Sequence, residues 1–229
     1  MTLLTLSMPW PVFILLFPLC IGIFDFIARR VRLSLITSAD EKEWGRELFS
    51  SASVGITWIF AAITCLFAAA ATCLLLSPAP ALERLVALLF SLYLFRMTLI
   101  DAITGFLPRE MTTSCLIAGL VAALITPGFT GHLLAAVTAL SVFSAWRYAT
   151  FKIYGCECLG LGDVLLAGAI AAWLGEANGL YALLAGVSFF VLWQLLNHRF
   201  REGGPMGPWL CAGAIWGVLI KLYQPLITW

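Results

Sequence analysis

Two acidic residues stand in a mostly apolar sequence: Asp101 in LFRMTLIDAITGFLPREMT and Asp163 in GCECLGLGDVLLAGAIAAWLG. An acid at the centre of a membrane helix costs about 2.5 to 3.5 kcal/mol on insertion scales, so each asks for a partner or a task. Paired carboxylates have such a task. Two at close range cannot both ionise cheaply, so one holds a proton while the other stays basic. Set around a water molecule, the basic member withdraws a proton while the protonated member donates to a peptide carbonyl, and amide hydrolysis then needs neither a metal nor a covalent intermediate. The bland alternative is that both residues cap helices, because Asp is a favoured N-cap and Asp163 stands where a helix would begin. Gly160 and Gly162 tilt the balance for Asp163. They permit left-handed or tightly packed backbone just before the carboxylate, on an approach that other side chains would block. A third acid, Asp25, lies four residues before Arg29 and is expected to pair with it on one helix face.

The elements that must position these acids are membrane helices. The 229 residues are 62% hydrophobic and 11% charged, with a mean hydropathy of +1.01, whereas soluble domains carry about a quarter charged residues. A net charge of +1 supplies no concentrated basic surface for nucleic acid. Eight apolar segments approach the roughly 20 residues that a span needs: near 9–28, 52–76, 83–100, 113–127, 131–149, 163–175, 178–196 and 207–223. The fourth and sixth are short. SPAPA, TPGFTG, GEANG and REGGPMGP break the chain between them. The fold class is therefore all-α: a polytopic membrane bundle of about eight transmembrane helices forming a single domain over 1–229. Its first segment reads as a retained span, since its positive charges follow the apolar run.

Lys and Arg accumulate in cytoplasmic loops, and here they fall on one side. Arg29, Arg30, Arg32, Lys42 and Arg46 follow the first span, Arg109 the third, Arg147 and Lys152 the fifth, Arg199 and Arg201 the seventh: 10 of 13 basic residues. Both termini are then on the outer side, and Asp101 and Asp163, 62 positions apart, come to the same cytoplasmic face. They can meet if spans three and six are neighbours. Residues 29–51 form the largest cytoplasmic loop, in which ADEKEWGRELF reads as an interfacial helix; its acids, Glu43 and Glu47 among them, are candidate contacts for a basic peptide. Arg96, inside the third span, reads as snorkelling or paired, with a substrate contact as the alternative. The seven cysteines lie mostly in apolar runs, where a thiol acts as a small hydrophobe. The one-residue gap between Cys156 and Cys158 is not a zinc spacing.

These pieces resemble the type IV prepilin peptidases, membrane aspartyl proteases of the GxGD group. Asp101 with Leu107, Pro108 and Thr112 is similar to the family's first aspartate and its Leu-Pro-x-x-x-Thr sequel, Gly160 to Asp163 match its GxGD, and GGPMGPWLCAGA at 203–214 resembles the start of its last span. The resemblance covers the chain from about residue 83 onward; before that only the layout agrees. It implies that Asp101 and Asp163 are a catalytic pair removing a basic leader from prepilin-like subunits, after a glycine, at the cytoplasmic surface of the bacterial inner membrane. It also implies, for many members, methylation of the new N-terminus from S-adenosylmethionine. No glycine-rich loop here marks a site for that cofactor, and the sequence leaves this second activity undecided. The departures are specific. Residues 29–51 contain no cysteine, so the zinc-binding CxxC loop of larger members is missing and no zinc is expected, while Leu165 and Met206 replace the family's usual Lys and Phe. Two rivals are carried forward: a proton- or ion-coupled transporter, since membrane carboxylates and broken helices also mark conduction paths, and a non-catalytic pilus or secretion assembly protein on the same fold. The sequence names neither the prepilin nor the oligomeric state.

Overall fold

A computed structural model describes residues 10–40, 53–125, 128–155, 159–197 and 204–227. Among them are eight helices and no strand: α1 (Trp10–Asp40), α2 (Ser53–Leu76), α3 (Ala81–Thr104), α4 (Arg109–Ile125), α5 (Phe129–Tyr154), α6 (Leu161–Leu174), α7 (Glu176–Leu196) and α8 (Gly207–Ile227). Each predicted span has its helix. Five of the helices contain stretches long and apolar enough to cross a bilayer: Pro11–Leu35, Trp58–Leu76, Ala81–Thr104, Phe129–Ile153 and Glu176–Leu196. The protein is a multi-pass membrane bundle. The largest boundary change is in α1, which continues to Asp40 and makes the first part of the expected 29–51 loop helical. On it, Asp25 accepts from Arg29 Nε at 2.8 Å, the pair foreseen from their spacing. Glu43, Glu47 and the expected interfacial helix lie outside the described residues, as do Cys156 and Cys158.

The shortest helix is the most buried. From Val164 to Leu174 only Leu165 of α6 is not fully buried, and α6 packs against α4, α5, α7 and α8. Fourteen residues rise only about 21 Å, against a hydrocarbon core of about 30 Å. Neighbours on every side relieve α6 of facing lipid, and each of its ends borders a cavity. Lipid tails supply no hydrophobic force between helices, so close packing of small residues has to hold such a bundle. The α7–α8 crossing uses this device: a Cβ on Gly213 would come within 2.5 Å of the Gly186 backbone nitrogen. On the opposite side Phe24, Phe67 and Phe95 join α1, α2 and α3, with Phe24 edge-on to Phe95 at 4.7 Å.

Candidate active site

Asp101 lies in the last turn of α3, one residue past the span read from hydropathy, and the helix runs on to Thr104. The helix closes on Gly105, whose left-handed φ of 65° lets its N–H reach the Asp101 carbonyl at 2.8 Å. Asp163 lies in the first turn of α6. The capping role considered for it is not the one it plays: Gly160 is the N-cap residue, extended at φ −67° and ψ 148°, with no side-chain cap bond. The Asp163 carboxylate instead folds back over Gly160, where a Cβ would stand 3.2 Å from Oδ2.

The α3–α4 turn locks these two helix ends together. Leu107 is its wedge. A Cβ on Gly162 would meet Leu107 Cβ at 2.6 Å and its carbonyl oxygen at 2.9 Å, while a Cβ on Gly207 would meet Leu107 Cδ1 at 2.5 Å and collide with Asp101 Oδ2. Of the two uses open to Gly162 from sequence, close packing is therefore the real one. The Pro108 carbonyl accepts from the Met111 and Thr112 N–H groups, starting α4, and the buried Thr112 hydroxyl donates to Arg109 O at 3.0 Å. Leu107, Pro108 and Thr112 thus shape the turn that seats the first aspartate.

Asp101 and Asp163 line one cleft of about 580 Å³ and lie within electrostatic reach of each other. They meet although α3 and α6 are not principal packing partners: α4 and α8 lie against both helices and bridge them. The two helices do touch directly, where Phe90 of α3 stacks on Trp173 of α6 at 4.9 Å. Asp101 is 2% exposed and its Oδ2 is buried without a hydrogen-bond partner, a state that is costly unless something occupies the oxygen. Asp163 is only partly buried. Gly105, Phe106, Arg109, Arg147, Leu161, Pro205 and Met206 complete the walls. Arg96 is not among them; five residues before Asp101, it points about 140° around the helix and is exposed, the orientation of a snorkelling side chain. The sequence reading missed Arg109 and Arg147 as cleft residues, and it missed why residue 207 must be glycine. Arg147 carried only its count among the loop charges; Gly207 carried a motif without a reason.

Residues 88–195 match the sequence profile of the type IV leader peptidase family. A protein of Escherichia coli (strain K12) named prepilin leader peptidase/N-methyltransferase is 32% identical over 156 residues, 65% of this chain and 68% of the relative. The chain belongs to the type IV leader peptidase family. Relatives of the same name from Pectobacterium carotovorum and Aeromonas hydrophila are 30% and 35% identical, matching 77% and 66% of this chain and 65% and 53% of their own lengths. The chain thus spans between about half and two thirds of the length of these two family members. No solved structure matches it.

Proposed function

We propose that this protein is an aspartyl endopeptidase that removes the basic leader from prepilin-like proteins, with Asp101 and Asp163 as its catalytic pair. The reading rests above all on one observation: two carboxylates, from the end of α3 and the start of α6, line a single cleft at one end of a membrane bundle. The pair shares one proton. The ionised carboxylate takes a proton from water as its oxygen attacks the scissile carbonyl, and the protonated partner donates to the carbonyl oxygen. Collapse of the tetrahedral species returns that proton and transfers the one taken from water to the leaving nitrogen, so the dyad is regenerated as the peptide separates. Asp101 is almost wholly buried and Asp163 only partly so, which favours Asp163 as the carboxylate that water reaches from the cleft. Arg109, which lines the same cleft, would lend positive charge beside the developing oxyanion.

The concentration of Lys and Arg in the loops after α1, α3, α5 and α7 supports a cytoplasmic position for the cleft, in a bacterial inner membrane. A basic leader would then arrive from the cytoplasm while the substrate's apolar segment stays in the bilayer. The relatives' names also carry N-methyl transfer. A donor such as S-adenosylmethionine would sit in the same cleft, where Phe106 and Met206 are apolar lining residues that could hold it. That cofactor would supply the methyl group, and the residues named would bind and orient it.

The deciding experiment reconstitutes the purified protein in lipid with a prepilin-like substrate, with and without S-adenosylmethionine, and compares Asp101→Asn and Asp163→Asn with wild type. Leader removal is expected from wild type and is expected to fall by about 10² to 10⁴ in each variant, with unfolding temperatures preserved. Leader removal that persists in the double variant would refute the assignment. Loss of a proton flux, with no peptide cut by wild type, would instead identify a transporter.

A further inference from the structure

Two grooves run along α5 on different flanks, and only one of them leads to the aspartates. The first, about 310 Å³, is lined by Ser144, Arg147, Tyr148, Phe151 and Leu161. Its α5 members recur at i, i+3, i+4 and i+7, a single helix face. The second, about 520 Å³, lies between α5 and α7 and includes Thr138, Val142, Trp146, Leu180, Leu184 and Val187. It is the larger and the more apolar by composition. Yet it shares no residue with the aspartate cleft, whereas the first groove shares both Arg147 and Leu161 with it. Tyr148 and Phe151 are 67% and 51% exposed, so the first groove is open along the outside of the bundle.

We infer that the Ser144–Tyr148–Phe151 face of α5 is the docking surface for the substrate's apolar membrane helix, and that Arg147 is the positioning residue at the neck where this groove enters the cleft. The inference rests on the peptidase reading of the cleft and adds the side from which substrate arrives. Three physical arguments converge on it. An apolar helix keeps its lipid-like surroundings on an exposed aromatic face and reaches the carboxylates without crossing another helix. Where that helix unwinds over Leu161, its carbonyls lose their internal partners at membrane depth and need donors; a guanidinium carries five N–H groups, more than a single partner takes up. The charge at the neck also sets direction, because Arg147 repels a basic leader and leaves it to exit by another part of the cleft while the neutral helix occupies the groove.

The test places the photo-crosslinking residue p-benzoylphenylalanine at Ser144 or Tyr148, and at Val142 or Leu184 in the other groove, within the full-length Asp101→Asn protein in inner-membrane vesicles containing a prepilin-like substrate. The same four replacements are made with both aspartates intact, and cleavage is measured in parallel. Adducts to substrate from 144 and 148, and none from 142 and 184, are the expected result. Adducts from 142 and 184 alone, or none anywhere while leader removal proceeds, overturn the docking surface and leave the peptidase reading standing. Adducts from 144 and 148 to a substrate that no protein with intact aspartates cleaves keep the surface and break that reading. For Arg147 the expected effect is on KM: Arg147→Ala raises it on the order of tenfold with kcat within about twofold, and Arg147→Lys recovers part of the loss. An unchanged KM, or a fall confined to kcat, removes Arg147 from the neck.

Discussion

The two ends of α6 are built from the same few helices and treat polar atoms in opposite ways. At its C-terminal end Trp173 stacks on Phe90 at 4.9 Å and donates from Nε1 to Cys115 O at 2.9 Å, while His132 Nδ1 lies 2.7 Å from the Ala172 carbonyl. Trp173 Nε1 and His132 Nδ1 thus each have a partner. At the N-terminal end a buried carboxylate oxygen has none, and the surrounding space is an open cleft of about 580 Å³. An unpaired buried polar group costs about 1 to 3 kcal/mol, so a fold selected for stability alone would fill that space or pair that oxygen. The difference separates a closely packed end from an open end, where the proposed reaction would take place.

The sharpest way to break this comparison is to exchange the penalties. Asp101→Asn is expected to abolish leader removal without loss of stability, whereas Trp173→Ala is expected to cost about 3 to 5 kcal/mol of stability and leave the kcat of the surviving folded molecules near wild type. Unfolding and single-turnover cleavage measured on the same samples decide it, and matched losses in both variants would erase the distinction between the ends. A finer version uses single methyl groups. Gly207→Ala puts a Cβ into Asp101 Oδ2 and should reduce kcat by at least tenfold. Gly119→Ala puts one 2.6 Å from Trp173 Cδ1 and should lower the unfolding temperature instead, with overpacking costing about 1 to 3 kcal/mol.

A proton shared between the two carboxylates, as proposed, would give a pH test that the far end should not follow. Leader removal is expected to fall on the acid side, where both carboxyls are protonated and no base is left, and on the alkaline side, where neither can donate. The resulting bell belongs to the pair and not to either residue. Asp163→Glu, if it retains activity, should shift the bell, whereas a replacement at His132 should leave its shape unaltered. The smallest effect is expected from His132→Phe. It removes one hydrogen bond at the far end, worth about 1 kcal/mol, and is read as a modest drop in unfolding temperature with cleavage intact.

Much of this was legible without coordinates, because lipid imposes its rules directly on composition. Runs of apolar residues had to be helices, so all eight were placed; the i, i+4 spacing of Asp25 and Arg29 was enough to pair them; and two acids in apolar surroundings marked themselves as costly. The boundaries went astray where hydropathy stops being informative. α1 continues as a helix through a charged stretch to Asp40, and α3 runs a turn past the expected end at 100, because backbone hydrogen bonds and a left-handed glycine end a helix, not polarity.

Residue identity alone thus determined the solvent, the helices and which two carboxylates to watch. Tertiary structure decided that these carboxylates share a cleft without their helices being principal packing partners, that Leu107 wedges between Gly162 and Gly207 to seat them, and that Arg109 and Arg147 join them. The physical reason is one of range. Partition into lipid and local hydrogen bonding act within a single segment and can be read from it, but a contact between a turn at 107, a helix start at 162 and another at 207 depends on how three segments fit, and close packing leaves no periodic trace in any one of them.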